Sequence, residues 1–95
     1  MKYKINDWIV YNNKEWSNHW KEIYGISLYG KIGKIIYIDI DKNANRDPYL
    51  IEFKDFIDSH DRYYGIGKYG HCYWGHEEEF TLYKDYFKLK KFIEG

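Results

Sequence analysis

His60, His71, Cys72 and His76 are of the types that hold zinc, through imidazole nitrogen and thiolate sulfur. Their spacing matches no C-x-x-C or comparable ligand pattern. Neighbours 71 and 72 point to opposite faces of a strand, so they do not share one ion easily. Loop histidines bonded to backbone are the expectation, and neither a metal nor another cofactor is assigned. Gly65-Ile66-Gly67-Lys68-Tyr69-Gly70 offers backbone N–H groups and a lysine, which could hold an anion. A phosphate-binding P-loop needs Gly-x-x-x-x-Gly-Lys-Ser/Thr between strand and helix, and neither condition is met. Ser17, Ser27 and Ser59 stand in no nucleophile elbow, and an adjacent His-Cys pair is not a catalytic dyad. No enzyme is expected.

The carboxylates Asp39, Asp41, Asp47, Glu52, Asp55 and Asp58 have no spacing that forces two together. Glu77-Glu78-Glu79 reads as a solvated turn, or as an acidic patch that attracts a basic partner. Lys88, Lys90 and Lys91 read as solvated; on one strand face, 88 and 90 could reach phosphate. The strongest recognition signal is aromatic. Tyr63, Tyr64, Lys68, Tyr69, Tyr73 and Trp74 lie close together in sequence, and Trp16 and Trp20 lie one helical turn apart. The alternatives are packing, of the long loop over an open end of the barrel and of the helix onto it, or a contact surface for a protein, for stacked bases or, at the two tryptophans, for self-association.

The elements that must position these residues follow from composition and periodicity. Aromatics are 22 % of 95 residues, too many for a core of this size, so some tyrosines and tryptophans belong at the surface. Tyr, Ile and Phe favour pleated, half-buried surfaces, so composition leans toward strands. Formal net charge is zero, which argues against an extended nucleic-acid clamp but not against a local patch. The single Cys72 suits a reducing cytoplasm. No apolar run is long enough to span a bilayer, and no apolar stretch follows the first lysines, so neither a membrane span nor a signal peptide is expected.

Residues 5–11 read as a turn entering a strand, with Trp8 and Val10 on one face and Ile9 and Tyr11 on the other. Asn12 with Glu15 resembles a capping box; Trp16, Trp20, Ile23 and Tyr24 form a helical face, and Gly25 ends it. This predicts a helix over about 13–24. Residues 30–40 form the clearest strand, with Gly30 and Gly33 suggesting a bulge or tight bend at its start. A polar tip at 41–47 leads to Pro48 and a strand over 49–54. Residues 55–70 form a long loop, 71–74 a short strand and 77–83 another. At the end, Leu82, Tyr86, Leu89 and Ile93 fit a helical face; a turn at 84–87 before a strand at 88–93 is the favoured alternative. The result is one mainly β domain over 1–95: a small, strongly bent antiparallel barrel of about five strands, one inserted helix and a long loop.

This order of motifs resembles a family of small SH3-like (KOW-like) barrel proteins found mainly in bacteriophages and prophages. The residues that carry it are Asp7, Gly30, Gly33, Ile35 and Ile38, then Pro48, Tyr49, Leu50 and Phe53, then His60 and Asp61, then Gly70, His71, Cys72 and Trp74. It covers roughly 28–75 and, more loosely, the first strand. Asn6 stands where the family carries Gly before the Asp. The resemblance implies an SH3-like barrel in a phage setting, and fold alone does not imply function.

Size, aromatic excess and resemblance together predict a non-enzymatic module in the cytoplasm of a bacterial host. It acts on a host protein, as an inhibitor of a defence system such as an anti-CRISPR does. A KOW-like nucleic-acid-binding protein is the alternative, and sequestration of a small anionic nucleotide at the glycine-rich loop is a third. The expected contact residues are Tyr63, Tyr64, Lys68, Tyr69, Tyr73, Trp74, Trp16 and Trp20.

Overall fold

The computed structural model describes residues 2–40, 47–61, 65–86 and 88. Five antiparallel strands form one sheet: β1 (Trp8–Tyr11), β2 (Ile32–Ile38), β3 (Tyr49–Phe53), β4 (Cys72–Gly75) and β5 (Phe80–Leu82). Their order is β4-β3-β2-β1-β5. One helix, α1 (Lys14–Tyr24), is inserted between β1 and β2, and a 3-10 turn, Glu77–Glu79, joins β4 to β5. The mainly β class, five strands among the described residues and a helix inserted after the first strand agree with the sequence reading. The closed barrel does not follow, because among the described residues β4 and β5 are sheet edges and do not pair.

Local chemistry explains these elements. The turn before β1 puts Asn6 at φ +76°, a left-handed conformation that asparagine tolerates and glycine adopts freely. Asp7 closes it by accepting the Lys4 N–H at 2.9 Å through Oδ2. Helix α1 is capped by Asn13, not Asn12: its side chain accepts the Trp16 N–H at 3.1 Å. Asn12 instead bonds Thr81 across the sheet. Gly25 ends the helix at φ +79°, and its N–H reaches the Lys21 carbonyl at 2.7 Å.

Gly30, at φ +79°, makes the tight bend before β2, whereas the bulge lies in the middle of the strand. Ile35 pairs with Ile51 and Tyr37 with Leu50, leaving Ile36 as the extra residue. Ile35 and Ile38 therefore both pack on the core. Gly33 serves close approach: a Cβ there would lie 2.5 Å from Ile51 Cγ2 and 3.0 Å from the Glu52 carbonyl oxygen.

The core is Ile9, Tyr11, Ile35, Tyr49, Ile51, Phe53, Tyr73 and Phe80 from the strands, joined by Tyr3, Leu28 and Ile57. Much of the aromatic surplus is thus inside, where its rings pack edge to face. Tyr3 sits 5.5 Å from Tyr49, Tyr11 5.7 Å from Tyr73 and 5.9 Å from Phe80. Such pairs add about 0.5–1.5 kcal/mol each beyond area burial. Buried phenols need partners, and Tyr3 finds one by donating to the Phe80 carbonyl at 2.8 Å.

The 55–70 segment folds back on itself. Ser59 bridges Gly70, and the Ile57 N–H donates to the Gly70 carbonyl at 2.8 Å. Gly67 lies against Cys72 Sγ and Ile36 Cδ1, so this part of the loop packs on the sheet. The strand expected over 77–83 begins only at Phe80, because the glutamates form the 3-10 turn. After β5 the backbone is helical over 83–86 and at Lys88, so helix stands over 84–86 where a turn was favoured and at Lys88 where a strand was to start; residues 87 and 89–95 lie outside the described part. No helix among the described residues is long and apolar enough to cross a membrane.

Candidate functional site

The most chemically loaded place is where the β2–β3 connection meets the 3-10 turn. Asp47 stands just before Pro48 at the entry to β3; His76 follows β4, and Glu79 closes the turn. His76 Nδ1 is 3.0 Å from Asp47 Oδ1 and 3.0 Å from Glu79 Oε1. The i, i+3 spacing of His76 and Glu79 is what a tight turn brings to one side. Glu79 is 2 % exposed, so the expectation that all three glutamates are solvated fails at the third. Gly75 makes room for it: a Cβ there would lie 2.8 Å from Glu79 Oε2.

Glu79 sits on a polar patch within the aromatic core. The Tyr73 hydroxyl donates to Oε1 at 3.3 Å. Oε2, the Tyr11 hydroxyl and Trp20 Nε1 are buried with no hydrogen-bond partner among the described residues. Burial pushes the Glu79 carboxyl up to about 7, against the opposing effects of the Tyr73 hydroxyl and His76. Burial, with the Glu79 charge behind it, raises the Tyr11 and Tyr73 phenols well above their ordinary range.

Above this cluster opens a cavity of about 380 Å³ lined by Trp16, Asp47, His76, Glu77 and Glu78. Trp16 stands edge-on to the His76 ring at 6.5 Å. Its indole is 47 % exposed and also lines a second hollow with Glu15, Asn18, His19 and Glu22. One exposed tryptophan is therefore rimmed by Glu15, Glu22, Asp47, Glu77 and Glu78.

The described ones among the contact residues expected from sequence do not share one surface. Trp16 is exposed beside the cavity. Trp20 packs against the core, 5.2 Å from Tyr73. Tyr73 faces inward with its hydroxyl on Glu79. Trp74 is half-buried on the other side of β4, edge-on to Tyr37 at 6.2 Å. Tyr69 is 59 % exposed and reaches His60 Nδ1 at 3.3 Å. Lys68 is exposed, and its backbone N–H donates to Glu52 Oε2 at 2.9 Å. One of the N–H groups that the glycine-rich loop could offer an anion is thus held by a carboxylate. Tyr63 and Tyr64 lie outside the described residues, as do Asp41, Lys90 and Lys91.

The four zinc-type side chains scatter as well. His71 Nδ1 lies 3.0 Å from the Phe53 carbonyl oxygen, and Cys72 is buried with its thiol pushed up to about 11 by burial. Among the described residues, His76 is the one of the four within 3.0 Å of carboxylates, those of Asp47 and Glu79. The i, i+3 relation of His76 and Glu79 was visible in the sequence; nothing there pointed to Asp47. Ser17, a residue type that can act as a nucleophile, has a structural partner set instead: it accepts the N–H groups of Leu28 and Tyr29.

A second surface carries the opposite charge. Lys34 and Lys54 hold their ammonium groups 5.6 and 5.1 Å from the Trp8 ring centroid. A cleft beside it is lined by Lys2, Lys4, Asn6, Asp7, Trp8, Leu82, Tyr83 and Lys84. Zero net charge thus conceals an acidic patch around Trp16 and a basic one around Trp8.

No protein-family model matches the chain, and no curated protein or solved structure matches it either.

Proposed function

We propose that this chain is a non-enzymatic binding module that docks on a basic segment of a host protein and acts by occlusion. The observation that carries this reading is Trp16, an exposed indole with five carboxylates around it. An aromatic face with an acidic rim suits an arginine or lysine side chain, through cation–π contact and charge-assisted hydrogen bonds. Buried aromatic anchors and arginine are also the residues that dominate interface energies. Five short antiparallel strands with one inserted helix support an SH3-like architecture, and loop and aromatic surfaces are how such small barrels recognise peptides. The phage setting, the cytoplasm of a bacterial host and inhibition of a defence system complete the reading.

The test is affinity purification of the tagged chain from bacterial lysate, with and without nuclease, beside Trp16→Ala. The expected result is one host protein recovered equally in both arms and lost with Trp16→Ala. Equal recovery by the variant would remove Trp16 from the site. Recovery that vanishes with nuclease would replace the reading with the next.

A nucleic-acid partner is the second reading, favoured by the lysine-flanked Trp8. Ring stacking on a base with Lys34 and Lys54 on phosphates fits single-stranded nucleic acid. Its signature is affinity that falls steeply with salt and with Trp8→Ala. Absence of binding to single strands at low salt would remove it.

A further inference from the structure

We propose that Asp47, His76 and Glu79 bind one divalent transition-metal ion, with zinc the preferred occupant. The site shares Asp47 and the cavity wall with the Trp16 surface, but its argument does not rest on the partner-binding reading. Its three potential ligand atoms lie within 4.8 Å of one another, and both arms from His76 Nδ1 measure 3.0 Å. In a tetrahedral zinc site with bonds of about 2.0–2.1 Å, ligand atoms stand about 3.3 Å apart. The two arms from His76 need to open by only a few tenths of an ångström to admit an ion, with the Asp47 and Glu79 oxygens already within 4.8 Å of each other.

Hydrogen bonding alone leaves this arrangement poorly satisfied. A neutral imidazole has one N–H to give, and at Nδ1 two carboxylates converge on it. Glu79 is almost fully buried, and its Oε2 has no partner within hydrogen-bond distance among the described residues, although the Tyr11 hydroxyl stands near enough to the carboxylate to favour its charged form. A carboxylate taken out of water calls for a cation. The Tyr73 hydroxyl on Oε1 orients the carboxylate from behind, as outer-shell donors do around metal ligands.

The donor chemistry selects the ion. One imidazole and two carboxylates suit zinc and its transition-metal neighbours. Calcium asks for six to eight oxygens, and magnesium for an octahedron of oxygens. The adjoining cavity leaves room for a water molecule as a further ligand, and Glu77 and Glu78 on its wall favour the approach of a cation.

The experiment uses the full chain, stripped with a chelator and then titrated with zinc chloride by calorimetry, with melting temperature followed in parallel. The expected result is one ion per chain at micromolar or tighter affinity, with a melting temperature several degrees higher. Asp47→Asn and His76→Ala should each weaken binding at least tenfold. Asp47 is half exposed, so Asp47→Asn should keep its fold, checked by circular dichroism, and should decide the matter if the other variant does not fold. Millimolar calcium or magnesium should leave the melting temperature unchanged. Absence of binding at 100 μM zinc would overturn the proposal. So would wild-type affinity in Asp47→Asn, which would place the ion on other histidines, and so would a response to calcium in place of zinc.

Discussion

The Ser17 hydroxyl oxygen accepts the backbone N–H of Tyr29 at 2.8 Å, and that of Leu28 at 3.0 Å. Ser17 is the buried residue of α1, so this one atom ties the helix to the segment that carries Leu28 into the core. Ser17→Ala strands two backbone donors in a buried place. Each such loss costs about 1–3 kcal/mol. Urea unfolding should show a loss of about 2–4 kcal/mol; less than about 0.5 kcal/mol would mean that the two donors find other partners.

The two tryptophans of α1 should separate cleanly. Trp20 lies 4.3 Å from Tyr24 and 5.2 Å from Tyr73 and packs on the core, whereas Trp16 is half exposed. Trp20→Ala should destabilise by about 3 kcal/mol, in the range for large-to-small changes in a core. Trp16→Ala should stay within about 0.5 kcal/mol, as surface changes do. Chemical denaturation of both variants checks this, and equal losses would refute the burial assignment.

Gly65 and Gly67 adopt similar left-handed backbones, φ +79° and +94°, but differ in surroundings. A methyl at Gly65 meets open space; at Gly67 it meets Cys72 Sγ and lies 2.9 Å from Ile36 Cδ1. Gly65→Ala should cost only the conformational strain of about 1–2 kcal/mol. Gly67→Ala should add about 1–3 kcal/mol of overpacking and lift the loop from the sheet. Differential scanning calorimetry should rank them in that order.

Alkaline pH should unfold the protein early. Burial raises the Cys72 thiol from 9.0 to about 11 and the Tyr3 phenol from 10.0 to about 12, and Tyr11 and Tyr73 move in the same direction. The unfolded chain releases these protons near their ordinary values while the folded chain retains them. The folded state then binds more protons, so stability falls as pH rises. The loss begins near pH 9 and continues through about 11 to 12. A shift of two units corresponds to about 3 kcal/mol when complete. Melting temperatures across pH 8–11.5 should decline steeply, and Cys72→Ala should remove the earliest part of the decline. A flat profile would contradict it.

The strands were legible because alternation and turn chemistry are local. Trp8 outward with Ile9 and Tyr11 inward, and Gly25 ending the helix, follow from spacing alone. The helix cap moved by one residue because Asn12 and Asn13 are chemically equal in sequence. Tertiary contact decided between them: Asn12 is used by Thr81. The cluster on His76 was legible only in part. Its His76–Glu79 arm is local, whereas Asp47 arrives from the far end of the β2–β3 connection, and pairing at such separation leaves no periodic trace. Burial of Glu79 was hidden because three consecutive glutamates look alike; the 3-10 turn rotates only the last one inward.

The extra residue at Ile36 acts as a change of parity in the chain. Before it, odd-numbered side chains of β2 belong to the interior; after it, even-numbered ones do, so Ile38 packs inward while Tyr37 meets Trp74 outside. Between Ile36 and the end of the strand the protein reads in a shifted frame. Removing one residue there would leave every side chain chemically intact and place each on the wrong side. Insertions and deletions in β2 are therefore constrained by count as strictly as substitutions are by size.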